Sequence, residues 1–200
     1  MTEGDRLYVL DAFAFWARSG FHRHELCDEV EVRIHDLVGS VDTEINAEFV
    51  ATTTERLRAD LDAQRDREAG WDDETINDRI DDAFDELWDR GIVALQNAGY
   101  TQSDGWDDAN EAAVDVDEPR GAVFYHGQDT ERAVKGDGLL LTFGAYSAGD
   151  DHDAASLEIG REVCEVLRKN GVDVRWDGTV ADRIRIPPFE WRKRAFTEAP

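Results

Sequence analysis

Two hundred residues with 41% hydrophobic content, six Trp and nine Phe are enough chain to bury a real core, so a disordered chain is not expected. No window approaches the roughly 18 apolar residues that a membrane span needs, which argues against membrane insertion. The formal net charge of -24, from 46 Asp and Glu against 22 Lys and Arg, argues against direct nucleic-acid binding, because phosphate contacts need Lys and Arg.

The charge is unevenly placed. Residues 1–118 hold 32 acidic against 10 basic side chains, while residues 119–200 hold 14 against 12. Self-repulsion of that size is offset by packing, counterions or a basic partner. Two readings stand open: a solvated surface adapted to high intracellular salt, consistent with 28 Asp beside 18 Glu and 3 Lys beside 19 Arg, or an acidic face that docks on something basic. Met1 to Arg6 is polar and acidic, without the features of a secretory signal, so the cytoplasm is the expected address. Cys27 and Cys164 both fall in apolar-periodic segments and read as buried thiols, with no disulfide expected.

In chain order, Leu7, Leu10, Phe13, Ala14 and Ala17 form a helical stripe that Gly20 stops. Leu26, Val30, Ile34 and Leu37 predict a second helix from Glu25 to Val38, ended by Gly39. Thr43 to Ala69 is helical by propensity, and its polar end after Leu61 is expected to be exposed or frayed. Thr75 or Asp73 caps the next helix, whose apolar face is Ile76, Ile80, Phe84, Leu87 and Trp88, and Gly91 closes it. Ile92 to Leu95 reads as a short strand leading into a hairpin near 92–103, Tyr100 to Trp106 as a polar loop, and 108–120 as a weak helix running into a linker at Pro119.

The second half alternates. Ala122 to His126 predicts a strand, Asp129 the cap of a short helix, Leu139 to Phe143 a central strand, and Ser156 the cap of a helix carrying Ile159, Val163, Val166 and Leu167. Val172 to Trp176 and Arg183 to Ile186 alternate strictly, with Asp173 expected opposite Arg183 or Arg185. The expected fold class is α+β: a helical N-terminal half, then an α/β half with a mixed four-stranded sheet in the order strand, helix, strand, helix, strand, strand. The first three of those strands are expected to be parallel. The expected organisation is an acidic helical region over 1–118 and an α/β region over 119–200, packed as one unit.

Parallel strands would bring three loops to one sheet edge: His126 to Asp129, Gly144 to Ser147 and Asp177 to Thr179. There His126 would serve as a base or ligand, Gln128 as a donor and Asp129 as an acceptor, against the plainer reading of an N-cap and a turn. His22-x-His24-Glu25 and Asp150-Asp151-His152-Asp153 are fragments of metal-site patterns without a full ligand set. Asp72-Asp73-Glu74 and Asp107-Asp108 lack calcium-loop spacing, so no metal and no cofactor is expected. Common nucleotide-binding and hydrolase signatures do not occur.

Two stretches, RGIVALQNAGYTQSDGW at 90–106 and FYHGQDTERAV at 124–134, together with GLLLTFG, IGREV and VRWDG further on, resemble a bacterial family known only as a domain of unknown function. The resemblance runs over about residues 78–192, with SGF at 19–21. It implies that the helical and α/β halves form one unit. It raises Asn97, Tyr100, Ser103, Asp104, Tyr125, His126, Gln128 and Asp129 as ligand-binding candidates. The His22 pair and the Asp150 to Asp153 loop lie outside the resemblance. The expected function is a cytosolic binding or regulatory module acting on a protein or small ligand. The alternatives are a small hydrolase or transferase using His126 and Asp129, and an acidic mimic of nucleic acid.

Overall fold

The computed structural model describes residues 1–39, 45–147 and 149–196, in two compact units: residues 1–73 with 192–200, and residues 74–191.

In the first unit, α1 (Glu3–Ser19) starts at a capping box between Thr2 and Asp5 and ends at Gly20, whose φ of 81° is a left-handed cap. Its buried face is Val9, Phe13 and Ala17, at successive spacings of four, and Leu7 of the expected stripe is 59% exposed. The second helix is interrupted. A 3-10 turn at His24–Asp28 precedes α2 (Val30–Val38), and Gly39 ends α2 as expected. α3 (Ala47–Glu68) follows, capped by Asn46; the predicted start at Thr43 lies outside the described residues. Its end is not frayed. Gln64 and Glu68 are buried, because Glu68 accepts the backbone N–H groups of Ala195 and Phe196 at 3.0 and 2.9 Å. Val9, Phe13, Val30, Ile34, Leu57 and Leu61 form the core of this unit, each side chain contributing about 1.5–3 kcal/mol by burial.

The second unit opens with α4 (Ile76–Asp89), whose cap is Thr75 in a capping box with Asp78. The strands are β1 (Ile92–Leu95), β2 (Gly121–Phe124), β3 (Leu139–Ala145) and β4 (Ile184–Ile186). The helices between them are α5 (Gln102–Ala112), α6 (Gly127–Val134) and α7 (His152–Lys169). The sheet is mixed and four-stranded, in the order β1-β2-β3-β4. Its class is as expected, but its pairings differ. β1 lies parallel to β2, with Ile92 opposite Gly121, so the chain between them is a crossover through α5 and not a hairpin. The expected polar loop at Tyr100 to Trp106 is the start of that helix, because Thr101 and Asp104 form a capping box.

β3 runs antiparallel to β2, pairing Gly121 with Ala145, and β4 runs antiparallel to β3. The expected parallel crossover fails at α6: this eight-residue helix is followed by Gly136 and Gly138, at φ 87° and 77°, which reverse the chain before it returns along the sheet. Val172 and Val174 are buried as their alternation requires, yet only Arg175 bridges to the sheet, at Arg185. Trp176 instead packs edge-on against Phe143 at 5.2 Å and donates from Nε1 to the carbonyls of Thr179 and Asp182, which holds the segment in a turn. Asp129 and Ser156 are not caps. His126 precedes α6 with Asp129 in its first turn, and Asp151 precedes α7, inside which Ser156 Oγ accepts the buried Ala145 N–H at 3.0 Å.

Candidate functional site

Antiparallel pairing of β2 and β3 sends the loops after Phe124 and Ala145 to opposite ends of the sheet, so the expected three-loop edge does not form. The carboxyl ends of the parallel pair β1 and β2 do lie side by side. That juxtaposition brings residues 96–104 and 125–130 together, which local turn chemistry could not do.

The two segments are joined by backbone hydrogen bonds that continue the strand pairing. Tyr125 N–H donates to Leu95, Ala98 N–H to Tyr125, Gly127 N–H to Gly99 and Gln128 N–H to Tyr100, at 2.9 to 3.3 Å. The first amides of α6 therefore have carbonyl partners, and the helix start is not an anion cradle. Gly99 is required here: its φ is 54°, and a Cβ on it would overlap Asp104.

Side chains complete the joint. Tyr125, 1% exposed, donates its hydroxyl to Gln96 Oε1 at 2.7 Å, and Gln96 Nε2 donates to Asp81 at 2.8 Å. Burial, then the nearby Asp81 charge, pushes the Tyr125 phenol well above its usual range, so it stays a donor. Asn97, at a left-handed φ of 53°, accepts from Thr130 Oγ1 at 2.8 Å. Tyr100 is 52% exposed and donates its hydroxyl to Glu131. Asp104 accepts from the Thr101 and Tyr100 amides, and its bonds to Thr101 first, then to Tyr100, draw its carboxyl below the usual carboxylate range. Ser103 and Gln128 are exposed.

His126 and Asp129 are buried, at 5% and 1% exposure, and a third residue locks them. Arg183 Nη1 donates to both carboxylate oxygens of Asp129, at 3.1 and 2.9 Å. His126 Nε2 lies 3.0 Å from Asp129 Oδ2 and 3.4 Å from Arg183 Nη1, while Nδ1 is buried without a hydrogen-bond partner. Burial holds the imidazole below its usual pKa, with Arg183 acting the same way against the opposing pull of Asp129, Asp104 and the Tyr100 backbone. A neutral His beside a carboxylate is the pair a general base needs, but this carboxylate is engaged by a guanidinium and Nδ1 of the ring is buried. The trio fixes the start of α6 to the segment leading into β4. Strand alternation puts Arg183 or Arg185 opposite Asp173; nothing local signals the pairing of Arg183 with Asp129.

Beside this joint lies a groove of about 320 Å³. Leu95, Gln96, Asn97 and Ala98 line one wall, and Asp108, Glu111, Ala112 and Asp115 the other. The three carboxylates sit at spacings of three and four, on one face of α5 and the 3-10 turn Ala113–Asp115 that extends it. They form no ion pair among the described residues. Of the candidates raised by sequence, only Asn97 lines this groove. The sequence does not mark this acidic wall, because Asp108 reads there as half of an Asp pair without calcium-loop spacing and Glu111 as part of a weak helix.

The metal-site fragments are used otherwise. His22 lies against Trp16 and is held below the usual imidazole pKa by burial, then by Arg33; His24 Nε2 is 3.1 Å from Asp62, and His152 Nδ1 is 2.8 Å from the Ser147 carbonyl. No group of three His, Cys, Asp or Glu suited to a metal occurs among the described residues. Nor, among them, is any helix long and apolar enough to cross a membrane. Cys27 and Cys164 are free, buried thiols.

Residues 3–195 match the family described as Domain of unknown function (DUF6891). The chain belongs to this family. The DUF6891 match extends the resemblance read at about 78–192 back through the first helices, and it takes in residues of both compact units. No curated protein and no solved structure matches the chain.

Proposed function

We propose that the protein is a binding module and that the groove between the end of β1 and α5 takes a basic segment of a partner. The observation that carries this reading is the unbalanced acidic wall. Asp108, Glu111 and Asp115 face a groove that no Lys or Arg lines, in a unit with 27 acidic against 11 basic side chains. A Lys or Arg head entering the groove meets three carboxylates, while the stem rests on Leu95, Ala98 and Ala112. The Asn97 amide, its oxygen already bonded to Thr130, offers N–H donors to a peptide carbonyl beside that head. Free thiols in both units suit a reducing compartment such as the cytoplasm.

The rival enzyme reading loses its reacting group, since His126 and Asp129 are buried and held by Arg183. An acidic mimic of nucleic acid needs the carboxylates of 60–118 on one surface, and many of them serve internal bonds instead: Asp62 to His24, Glu68 to the tail, Asp78 and Asp104 in caps, and Glu86 to Arg90 and Lys169.

The test is titration of the full chain with a short Lys/Arg-rich peptide by calorimetry at low salt, beside the triple variant Asp108→Asn, Glu111→Gln, Asp115→Asn. Binding that weakens about 10-fold or more in the variant is expected, since each exposed pair contributes about 0.2–1 kcal/mol. Equal affinity of the two proteins, or no binding by the unmodified chain, removes the groove from the reading.

A further inference from the structure

The first unit holds a segment of its own chain in the manner of a receptor holding a peptide. Arg192 to Phe196 has no regular secondary structure and makes no strand ladder. Glu68 Oε1 accepts Ala195 N–H at 3.0 Å and Oε2 accepts Phe196 N–H at 2.9 Å, while Gln64 Nε2 also donates to Oε1 and orients the carboxylate. Gln64 is itself fixed through its oxygen by Arg67.

The basic side chains of the segment are received by aromatic and acidic groups. Lys193 Nζ lies 5.1 Å from the Phe21 ring centroid, and the Arg194 guanidinium 5.8 Å from that of Trp71. Arg192 donates to the Asp72 carboxylate at 3.2 Å and Arg194 to the Asp72 carbonyl. Ala195 is 4% exposed, and the Phe196 ring rests 5.3 Å from His24. Gly20 lets the segment pass close, since a Cβ there would collide with Lys193.

A buried carboxylate that reads two successive amides accepts any non-proline residues at those places, and aromatic faces accept either Lys or Arg. The cradle therefore recognises a chemistry and not one sequence: two or three basic residues, a small residue, then an aromatic. We propose that it is a binding site for a basic, aromatic-ended peptide segment of a partner protein, and that residues 192–196 are its built-in occupant, which the partner displaces. This site is separate from the groove in residues 74–191 and does not depend on it.

The probe is a synthetic copy of residues 191–196 with blocked ends, titrated into the full chain, beside a copy with Gln at its three basic positions. Amide exchange at Ala195 and Phe196 is followed by NMR. Saturating probe speeds exchange at those two amides about 10-fold or more while Leu57 and Leu61 stay slow, and the Gln copy has no effect. The double variant Lys193→Gln, Arg194→Gln, with a weakened occupant, binds the probe about 10-fold tighter than the unmodified chain, because the competent state is more populated. A merely structural tail would give a less stable protein with no gain in affinity. Glu68→Gln binds the probe more weakly.

The proposal is overturned if the double variant binds no tighter, or if the Ala195 and Phe196 amides stay as slow as Leu57 at saturating probe. It also fails if the probe perturbs Asn97 and Ala98 instead, which would assign it to the groove. Concentration-dependent dimerisation of the full chain in place of probe binding would make the occupant a second copy's tail.

Discussion

At Asp129 a carboxylate with 1% side-chain exposure meets a guanidinium and an imidazole, and the guanidinium is what makes its burial tolerable. Arg183→Gln is expected to cost about 2–4 kcal/mol in urea unfolding, since it leaves the carboxylate buried without its cation. Adding Asp129→Asn recovers part of that loss; a double variant no more stable than Arg183→Gln would show that the charge is not the cause. The pH dependence has a definite sign. Burial puts the folded pKa of His126 below the usual 6.5, so below pH about 7 the unfolded chain binds a proton that the folded chain does not. Stability is therefore lost as pH falls through 6.5 towards the folded value and is unaffected above it. His126→Asn flattens that decline, leaving the part due to His22, which burial also lowers. At this scale the sequence is legible where a signal is local: Thr75, Gly20 and Gly39 act as read. Arg183 to Asp129 spans 54 positions, and only the folded path brings the pair together.

Among the elements, α5 decides whether the groove exists, since it carries all three carboxylates directly or through the turn that extends it. Thr101→Ala removes one half of its capping box and should cost about 1 kcal/mol in denaturant unfolding. Gly105→Ala places a Cβ onto the Phe124 ring, so α5 must shift from β2, at about 1–3 kcal/mol. Both variants should also weaken binding of a basic peptide; unaltered affinity in a measurably loosened helix would separate the groove from α5. The sequence marks the helices through their apolar periodicity and the strands through their apolar runs. It does not mark which strands are partners, because direction is set by the connection. β1 has the Gly-flanked look of a hairpin strand, yet Thr101 and Asp104 start a helix that carries the chain across to β2. Gly136 and Gly138 look like ordinary turn residues, yet they convert an expected crossover into a reversal. The candidates Asn97, Tyr100, Tyr125, His126 and Asp129 do converge, but through the parallel pair β1 and β2 and not through three parallel strands.

Across the whole chain, a net charge of -24 makes electrolyte part of the stability. Raising KCl from about 0.01 to 0.5 M shortens the Debye length from roughly 30 Å to below 10 Å and should raise the urea midpoint. A flat midpoint would mean that internal pairs, such as Glu86 with Arg90 and Lys169, already balance the repulsion. The same salt should weaken any basic ligand, so stability and binding move in opposite directions. Composition alone makes this tension visible; which carboxylates are engaged is not visible there, since the Lys169 partner of Glu86 lies 83 positions away.

The bonds at Glu68 also impose an order in time. Ala195 and Phe196 are translated only after all of residues 74–191, so a nascent chain holds the first helices long before the two amides that close around this carboxylate exist. Until they emerge from the ribosome, Glu68 and the apolar surface near it face water, and the earliest-made unit is the last to mature.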